Sequence, residues 1–219
     1  MSDVRAGVVG VGHLGYHHAR NYAALPGVKL VGIFDPDPVR RGKAAEDFGT
    51  PACSSIDELI SLGAEAVSVS APTRAHGDAT LQLLSAGVDV LVEKPIAATL
   101  DEARAMVAMA TEKGRILQVG HIERFNGAVM ALSKVVRAPR FIECHRLSPY
   151  PSRGDDVSVV LDLMIHDLDI VLAFAGPDVV SVDAVGVSVF SQYEDIANAR
   201  IRFGSGCVVN LTSSRVSPE

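Results

Sequence analysis

Short apolar runs alternate with amphipathic segments through the first 120 residues of the chain. Continuous apolar runs of this kind, bounded by glycine and polar residues, are typical of parallel strands that are buried on both faces. We predict strands at Val4–Val9, Lys29–Phe34, Ala66–Ser70, Val88–Glu93 and Ile116–Val119. Helices are predicted between them at His13–Leu25, Pro38–Phe48, Ile56–Ser61, Arg74–Ala86 and Leu100–Lys113. This order favours an α/β fold, a doubly wound parallel sheet of the Rossmann type.

The pattern changes after Gly120. The predicted helices are Phe125–Arg137 and Val157–Ala175, and the predicted strands are Arg140–Leu147, Val179–Val189, Ala197–Phe203 and Cys207–Thr212. Alternating strands around a glycine turn indicate an α+β domain with a mostly antiparallel sheet. We therefore expect two domains, residues 1–120 and 121–219. Because the chain ends just after a strand, we expect the second domain to be truncated or its edge to be covered by another subunit.

The composition of the chain argues against two classes of protein, those that bind nucleic acid and those that span a membrane. The chain has 219 residues, of which 48% are hydrophobic, and a formal net charge of −6 without a basic cluster, which argues against nucleic acid as a partner. Three separated cysteines form neither a metal-type pair nor a disulfide framework, and no signal peptide precedes the first strand, so we expect a cytoplasmic protein. Acidic residues interrupt the apolar stretch 157–175, which argues against a membrane span.

A glycine-rich motif, Gly10-Val11-Gly12-His13-Leu14-Gly15, joins the first predicted strand to the first helix, and Asp35 follows the second strand. Glycines at these positions allow a tight turn, close approach of a pyrophosphate, and close packing of helix and strand. Asp35 suits the ribose hydroxyls of NAD and repels a 2′-phosphate, although Arg40 and Arg41 leave NADP open. The alternative is a glycine turn without a ligand.

Two further segments follow predicted strands of the same sheet, at the edge where doubly wound folds bind ligands. Glu93-Lys94-Pro95 ends one strand, which would place Lys94 beside the nicotinamide, where it can stabilise developing negative charge. The alternative is a solvated lysine. Ala71-Pro72-Thr73 and His76 follow another strand and should lie over the cofactor, although helix capping by Thr73 is equally compatible with the sequence.

Asp162, His166 and Asp169 follow one another at helical spacing in a nearly apolar segment, so they should share one helix face. A carboxylate one turn away would hold the imidazole of His166 in one orientation, as a general base requires. A histidine satisfied within the core is one alternative. A shared metal ion is another, but the spacing offers no third ligand, so we expect no metal.

The predicted domain junction, Gly120-His121-Ile122-Glu123-Arg124-Phe125-Asn126, is a candidate substrate site, with His121, Arg124 and Asn126 as its polar members. Arg124 suits a phosphate or a carboxylate. Tyr150 and Arg153 in the following polar loop are weaker candidates, with an ion pair or a solvated loop as the alternative. His17 and His18 are interpreted as packing or surface residues.

Three motifs in this order, Gly10-x-Gly12-x-x-Gly15, Glu93-Lys94-Pro95 and Asp162-x-x-x-His166-Asp167, resemble the Gfo/Idh/MocA family of oxidoreductases. The resemblance implies an NAD-binding Rossmann domain and an α+β domain whose open sheet often forms a homo-oligomer interface. It also implies that Lys94 and His166 are the catalytic pair, with Asp162 nearby.

Within that family, the segments 120–126 and 161–167 look most like the branch that acts on nucleotide sugars, the UDP-N-acetylglucosamine 3-dehydrogenases. The implied reaction is oxidation of a sugar hydroxyl to a ketone by hydride transfer to NAD. A dehydrogenase of a free polyol such as an inositol is the first alternative. A non-catalytic NAD-binding module or regulator is the second.

Overall fold

The computed structural model describes residues 3–150 and 157–217. The chain divides into two compact units, Met1–Gly120 and His121–Glu219. Each unit has its own sheet and its own buried apolar residues, so each is described by itself.

The first unit is a six-stranded sheet in which every neighbouring pair is parallel. Its strands are β1 (Val4–Val9), β2 (Val28–Phe34), β3 (Ala52–Cys53), β4 (Ala66–Val69), β5 (Asp89–Val92) and β6 (Leu117–Val119). Their order across the sheet is β3-β2-β1-β4-β5-β6. The order reverses between β1 and β4, and the crevice at that point is where doubly wound sheets bind ligands.

Helices connect the strands of the first unit. They are α1 (His13–Ala24), α2 (Pro38–Phe48), α3 (Ile56–Ser61), α4 (His76–Ser85), preceded by a 3-10 turn at Thr73–Ala75, and α5 (Leu100–Lys113). The predicted strands and helices of this half are all present, with ends shifted by a few residues. The strand β3 was not predicted, because two residues are too short to show a periodic pattern.

The second unit carries a four-stranded sheet in the order β7-β10-β9-β8. Its strands are β7 (Phe141–Leu147), β8 (Val179–Val187), β9 (Ile196–Phe203) and β10 (Val208–Ser214). β10 pairs antiparallel with β9 and parallel with β7, and β8 pairs antiparallel with β9. The predicted fold class, a Rossmann sheet followed by an α+β unit with a mostly antiparallel sheet, is confirmed.

Alternation along β9 separates the two faces of this second sheet. Ala199 and Ile201 are buried against the apolar cluster that contains Met164 and Val171, whereas Arg200 between them is exposed. The edge strand β8 is exposed along its whole length. One face of the sheet therefore forms the core of the unit and the other face is open.

Both helices predicted in the second half are present, and each follows a turn or segment of different helical type. The first begins as a 3-10 turn, Ile122–Phe125, and continues as α6 (Gly127–Val135), because the side-chain oxygen of Asn126 accepts the backbone N–H of Ala128 at 3.0 Å and starts a new helix. The second is a π-helical segment, Val160–Met164, that runs into α7 (Ile165–Ala175). In residues 3–150 and 157–217, no helix is long and apolar enough to cross a bilayer.

Candidate active site

The glycine motif forms a tight turn between β1 and α1. Gly10 has a φ of +83°, which is strained for any residue with a side chain. A Cβ at Gly15 would lie 1.8 Å from the carbonyl oxygen of Gly10, so only glycine allows α1 to pack this closely on the turn. A Cβ at Gly12 would meet nothing within 4 Å. Gly12 is also the N-cap of α1, so open space lies beside the first backbone N–H groups of the helix.

Asp35 follows β2 at the edge of this turn and is 3% exposed. Its Oδ2 accepts the backbone N–H of Val11 at 2.9 Å, and its Oδ1 accepts the N–H of Asp37 at 2.9 Å. Arg40 lies 3.3 Å from Oδ1, and Arg41 donates to the Asp35 backbone carbonyl at 2.8 Å. The carboxylate is therefore held against the glycine turn, and two guanidinium groups lie beside it.

The loop after β4 carries two of the predicted cofactor residues, Thr73 and His76. Pro72 is the N-cap of the 3-10 turn and Thr73 is its first residue, so Thr73 does not cap this helix. His76 is 1% exposed, and its ring nitrogens lie 2.9 Å from the Pro95 carbonyl oxygen and 2.8 Å from the Ala71 carbonyl oxygen. The enclosed imidazole lies between two loops, and its place near the cofactor stays a prediction.

The Glu93-Lys94-Pro95 segment follows β5, at the carboxyl edge of the parallel sheet, and its Lys94–Pro95 peptide bond is cis. Lys94 is partly buried. Glu93 is buried, and its Oε1 lies 2.8 Å from Nε2 of His18. Lys94 follows the carboxyl end of β5, and its place beside the nicotinamide stays a prediction.

His18, interpreted from the sequence as a packing or surface residue, has two hydrogen-bond partners in the structure. It lies on α1 between Glu93 and Ser68, with 3.1 Å between its Nδ1 and the Ser68 Oγ. The hydroxyl of Tyr22, one helical turn further on, lies 2.6 Å from the same Oγ. A histidine and a tyrosine four residues apart on the helix that follows a glycine motif are the signal that could have indicated this contact.

In the second unit, Asp162 lies in the π-helical segment and His166 lies in the first turn of α7, and both are partly buried. Asp169 is 8% exposed and accepts two hydrogen bonds from Arg124, at 2.6 and 2.7 Å. Asp167 accepts two from Arg146, at 3.1 and 2.8 Å. A π turn is wider than an α turn, and the shared face of Asp162, His166 and Asp169 stays a prediction.

Among the remaining predicted substrate residues, Asn126 and Tyr150 have local partners. His121 precedes the 3-10 turn and is partly buried, and Asn126 caps α6. The exposed ring of Tyr150 packs edge-to-face on Phe190, with 5.3 Å between ring centroids. Arg153 lies outside the described residues. Across the described ranges, no group of three or more His, Cys, Asp and Glu side chains could hold a metal ion.

Comparison with known proteins adds independent information. Residues 4–121 match the family model described as "Oxidoreductase family, NAD-binding Rossmann fold", and residues 129–219 match the "GFO/IDH/MocA C-terminal domain". A UDP-N-acetylglucosamine 3-dehydrogenase from Acidithiobacillus ferrooxidans is 40% identical over 220 residues, which cover 100% of this chain and 69% of that protein. The solved structure of that enzyme, GnnA, matches with a TM-score of 0.94 over 100% of this chain and 72% of that one.

Two more distant relatives agree. The scyllo-inositol 2-dehydrogenase (NAD(+)) of Bacillus subtilis is 31% identical over 234 residues, covering 99% of this chain and 68% of that protein. The structure of GenD2 from gentamicin A biosynthesis, solved in complex with NAD, has a TM-score of 0.92 at 23% identity, over 100% of this chain and 68% of that one, a likeness that shows the fold alone. The chain belongs to the Gfo/Idh/MocA family of NAD-binding oxidoreductases, as its three motifs indicate.

Proposed function

We propose that this protein is an NAD-dependent dehydrogenase that oxidises the 3-hydroxyl of a UDP-N-acetylhexosamine to a ketone. The observation that carries the proposal is the 40% identity across the whole chain to an enzyme named for that reaction on UDP-N-acetylglucosamine. The chain spans 69% of the length of that relative.

The residues of the first unit fit a dinucleotide. The empty space at Gly12 and the glycine-only contact between Gly15 and Gly10 form a cradle that a Cβ would fill or distort. We assign the adenosine ribose to Asp35 and the pyrophosphate to the turn. The other assigned cofactor neighbours are His13, Leu14, Ala71, Thr73, Glu93 and Lys94. His76 acts on the cofactor site through the loops that it joins.

Catalysis is assigned to Lys94, His166 and Asp162, on the family's motifs. When bound, NAD supplies the hydride acceptor. His166 takes the proton of the sugar hydroxyl as general base, and Asp162 favours the protonated ring that results. Lys94 donates a hydrogen bond to the same oxygen and stabilises its developing negative charge.

Substrate contacts are assigned to His121, Asn126, Tyr150 and Arg153, in addition to the catalytic residues. Arg124 is assigned to the substrate as well, although it also donates two hydrogen bonds to Asp169. A guanidinium has five N–H groups, so donors remain for a carboxylate or a phosphate oxygen.

A free polyol is the second candidate substrate. It is favoured by the 31% identity over 99% of the chain to a scyllo-inositol 2-dehydrogenase. The proposed active site needs only one secondary hydroxyl between a base and a hydrogen-bond donor, and a ring polyol provides that hydroxyl as well as a sugar nucleotide does.

We also infer a cytoplasmic homo-oligomer that assembles through the open face of the second sheet. Polar side chains on that face form cross-strand hydrogen bonds, from Asn198 to Thr212 and from Arg200 to Asn210, each at 2.8 Å. Exposed valines on β8, such as Val185 at 64% exposure, lie beside them. Light scattering of the chain and of a Val185→Glu variant tests the assembly, which should dissociate in the variant.

The test of the function is a screen of UDP-sugars and free polyols for NADH formation. We expect the largest rate with UDP-N-acetylglucosamine and a loss of turnover in Lys94→Met and His166→Asn. Lys43→Met, at an exposed position of α2, is the matched control and should keep its turnover. Wild-type turnover in the Lys94 or His166 variant would contradict the catalytic assignment. A higher rate with inositols than with UDP-sugars would favour a free polyol as the substrate.

A further inference from the structure

Two histidines hold the Glu93-Lys94-Pro95 segment from opposite ends. The first is His18, whose Nε2 lies 2.8 Å from the Glu93 carboxylate, with 17% of the His18 side chain and 10% of the Glu93 side chain exposed. An ionised carboxylate only accepts, so Nε2 donates. In a neutral ring, Nδ1 then accepts the hydroxyl of Ser68, which can accept that of Tyr22 in turn.

The carboxylate of Glu93 has little freedom to move. A Cβ added at Gly120, which follows β6, would lie 3.0 Å from Cδ and Oε2 of Glu93. The backbone on both sides is also fixed, because Glu93 N–H donates to Val69 at 2.9 Å and Gly120 N–H donates to Val92 at 2.7 Å. Burial raises the pKa of Glu93, but the hydrogen bonds from His18 and the Lys94 backbone outweigh it and hold the pKa below its usual range.

The second histidine is His76, which is buried at the start of α4. One ring nitrogen faces the carbonyl oxygen of Pro95 at 2.9 Å, and the other faces that of Ala71 at 2.8 Å. Carbonyl oxygens only accept, so a neutral ring donates to one of the two and a protonated ring donates to both. The Ala71 loop in turn touches the glycine turn, since a Cβ at Gly10 would lie 2.7 Å from the Ala71 nitrogen. His76 therefore links the segment that carries Lys94 to the loop that packs on the dinucleotide turn.

We propose that His18 and His76 are positioning residues that fix the Lys94 backbone, His18 through the Glu93 side chain and His76 through the Pro95 carbonyl. The consequence for catalysis rests on the proposed function of Lys94. The structural consequence does not rest on that function, because it concerns only how rigidly residues 93–97 are held.

Positioning matters here because the segment is irregular. Lys94 and Pro95 lie beyond the last residue of β5, where the regular strand has ended. A displacement of a reacting group by about 1 Å can lower a rate by about 100-fold. Two directional contacts, on Glu93 and on Pro95, hold the residues that flank Lys94 without touching the reacting atoms.

An Asn and a Gln variant of each histidine test its two ring contacts one at a time. In His18→Gln the side-chain amide reaches as far as Nε2 and can keep the bond to Glu93, whereas in His18→Asn it reaches only as far as Nδ1 and loses that bond. In His76→Asn the amide keeps the contact with Pro95, and in His76→Gln it keeps the contact with Ala71. His17→Asn, one position earlier on α1, is the matched control.

The first measurement is hydrogen exchange of the peptide that contains residues 93–97, followed by mass spectrometry on the free 219-residue chain. We expect exchange to be about tenfold faster in His18→Asn and His76→Gln, because each has lost one directional contact with the segment. His18→Gln, His76→Asn and His17→Asn should match the wild type. Unchanged exchange in both His18→Asn and His76→Gln would overturn the proposal, as would equal acceleration in all five variants.

The second measurement separates the proposal from the function on which it rests. With NAD and the best sugar substrate, kcat should fall about 10- to 100-fold in His18→Asn, while the Kd of NAD stays within about twofold. His76→Asn should instead weaken NAD binding, since only its Ala71 contact is lost. If exchange accelerates as expected but Lys94→Met retains its turnover, the positioning role stands and the catalytic role of Lys94 fails.

Discussion

The guanidinium of Arg124 donates two parallel hydrogen bonds to the carboxylate of Asp169, 2.6 Å from Nε to Oδ2 and 2.7 Å from Nη2 to Oδ1. The contact joins the 3-10 turn before α6 to the buried side of α7. A residue proposed for substrate binding is thereby also part of the packing of the second unit.

Replacing Asp169 by Asn should lower the free energy of unfolding by about 1–3 kcal/mol, because a charge-assisted pair becomes a weaker contact at a buried position. Urea denaturation measures the change. Arg104→Lys, in an exposed pair with Asp101, should leave stability nearly unchanged. A normal midpoint for Asp169→Asn would show that the pair adds nothing to the fold.

Gly12 and Gly15 should respond differently to alanine. Gly15→Ala should destabilise the chain and abolish NAD binding, because its Cβ would lie 1.8 Å from the Gly10 carbonyl oxygen. Gly12→Ala should keep the melting temperature, because its Cβ meets no protein atom within 4 Å. It should weaken NAD binding, because that Cβ would occupy the space proposed for the pyrophosphate.

The control for both variants is Gly42→Ala in the middle of α2, where a Cβ also meets nothing within 4 Å. It should raise stability by about 0.5–1 kcal/mol, the helix propensity gained, with unchanged NAD affinity. Isothermal titration and thermal melts measure all three variants. Unchanged NAD affinity in Gly12→Ala would contradict the assignment of the pyrophosphate to this turn.

Asp35 should set the preference for NAD over NADP. In Asp35→Ser the charge that repels a 2′-phosphate is gone, and Arg40, now 3.3 Å from that carboxylate, becomes available to pair with the phosphate. We expect the ratio of NADP to NAD affinity to rise by about tenfold or more, a difference of about 1.4 kcal/mol.

Adding Arg40→Ala to Asp35→Ser should reverse most of that gain while leaving NAD affinity close to that of the single variant. Fluorescence titration with both dinucleotides provides the comparison. An equal gain in the double variant would exclude Arg40 as the group that accepts the phosphate.

Asp195 should make the second unit sensitive to acid. Burial raises the pKa of Asp195, but the N–H groups of Ser191, Phe190 and Val189 and the buried Arg215 outweigh that effect and hold the pKa well below its ordinary value of 3.8. The folded state therefore keeps its carboxylate ionised where the unfolded chain is protonated. Stability from this carboxylate is fully present above that ordinary value and is lost progressively as the pH falls below it.

Asp195→Asn should lower the melting temperature near neutral pH by several degrees, since it weakens a buried ion pair. The difference in stability between wild type and variant should shrink as the pH falls from about 6 to about 3. Asp183→Asn, on the exposed strand β8, is the matched control and should show no such trend. A constant difference across this range would contradict the assigned direction of the pKa.

The strand ends that carry the candidate site residues could be predicted, because these residues lie in contiguous segments. The glycine motif, Asp35 and Glu93-Lys94-Pro95 each follow a strand that the apolar runs indicate, and parallel strands present their carboxyl ends at one edge. The π turn before α7 could not be predicted, because the apolar pattern of residues 157–175 is equally compatible with a regular α-helix.

The sequence by itself determined the order of strands and helices, the parallel first sheet, the family and the glycine positions, since all of these depend on local periodicity or on residues near one another in the chain. Only the tertiary structure decided what His18, His76 and Arg124 do. Their partners Glu93, Pro95 and Asp169 lie 75, 19 and 45 residues away. No local pattern encodes which buried polar groups satisfy one another, because that choice is made when the packed elements exclude water.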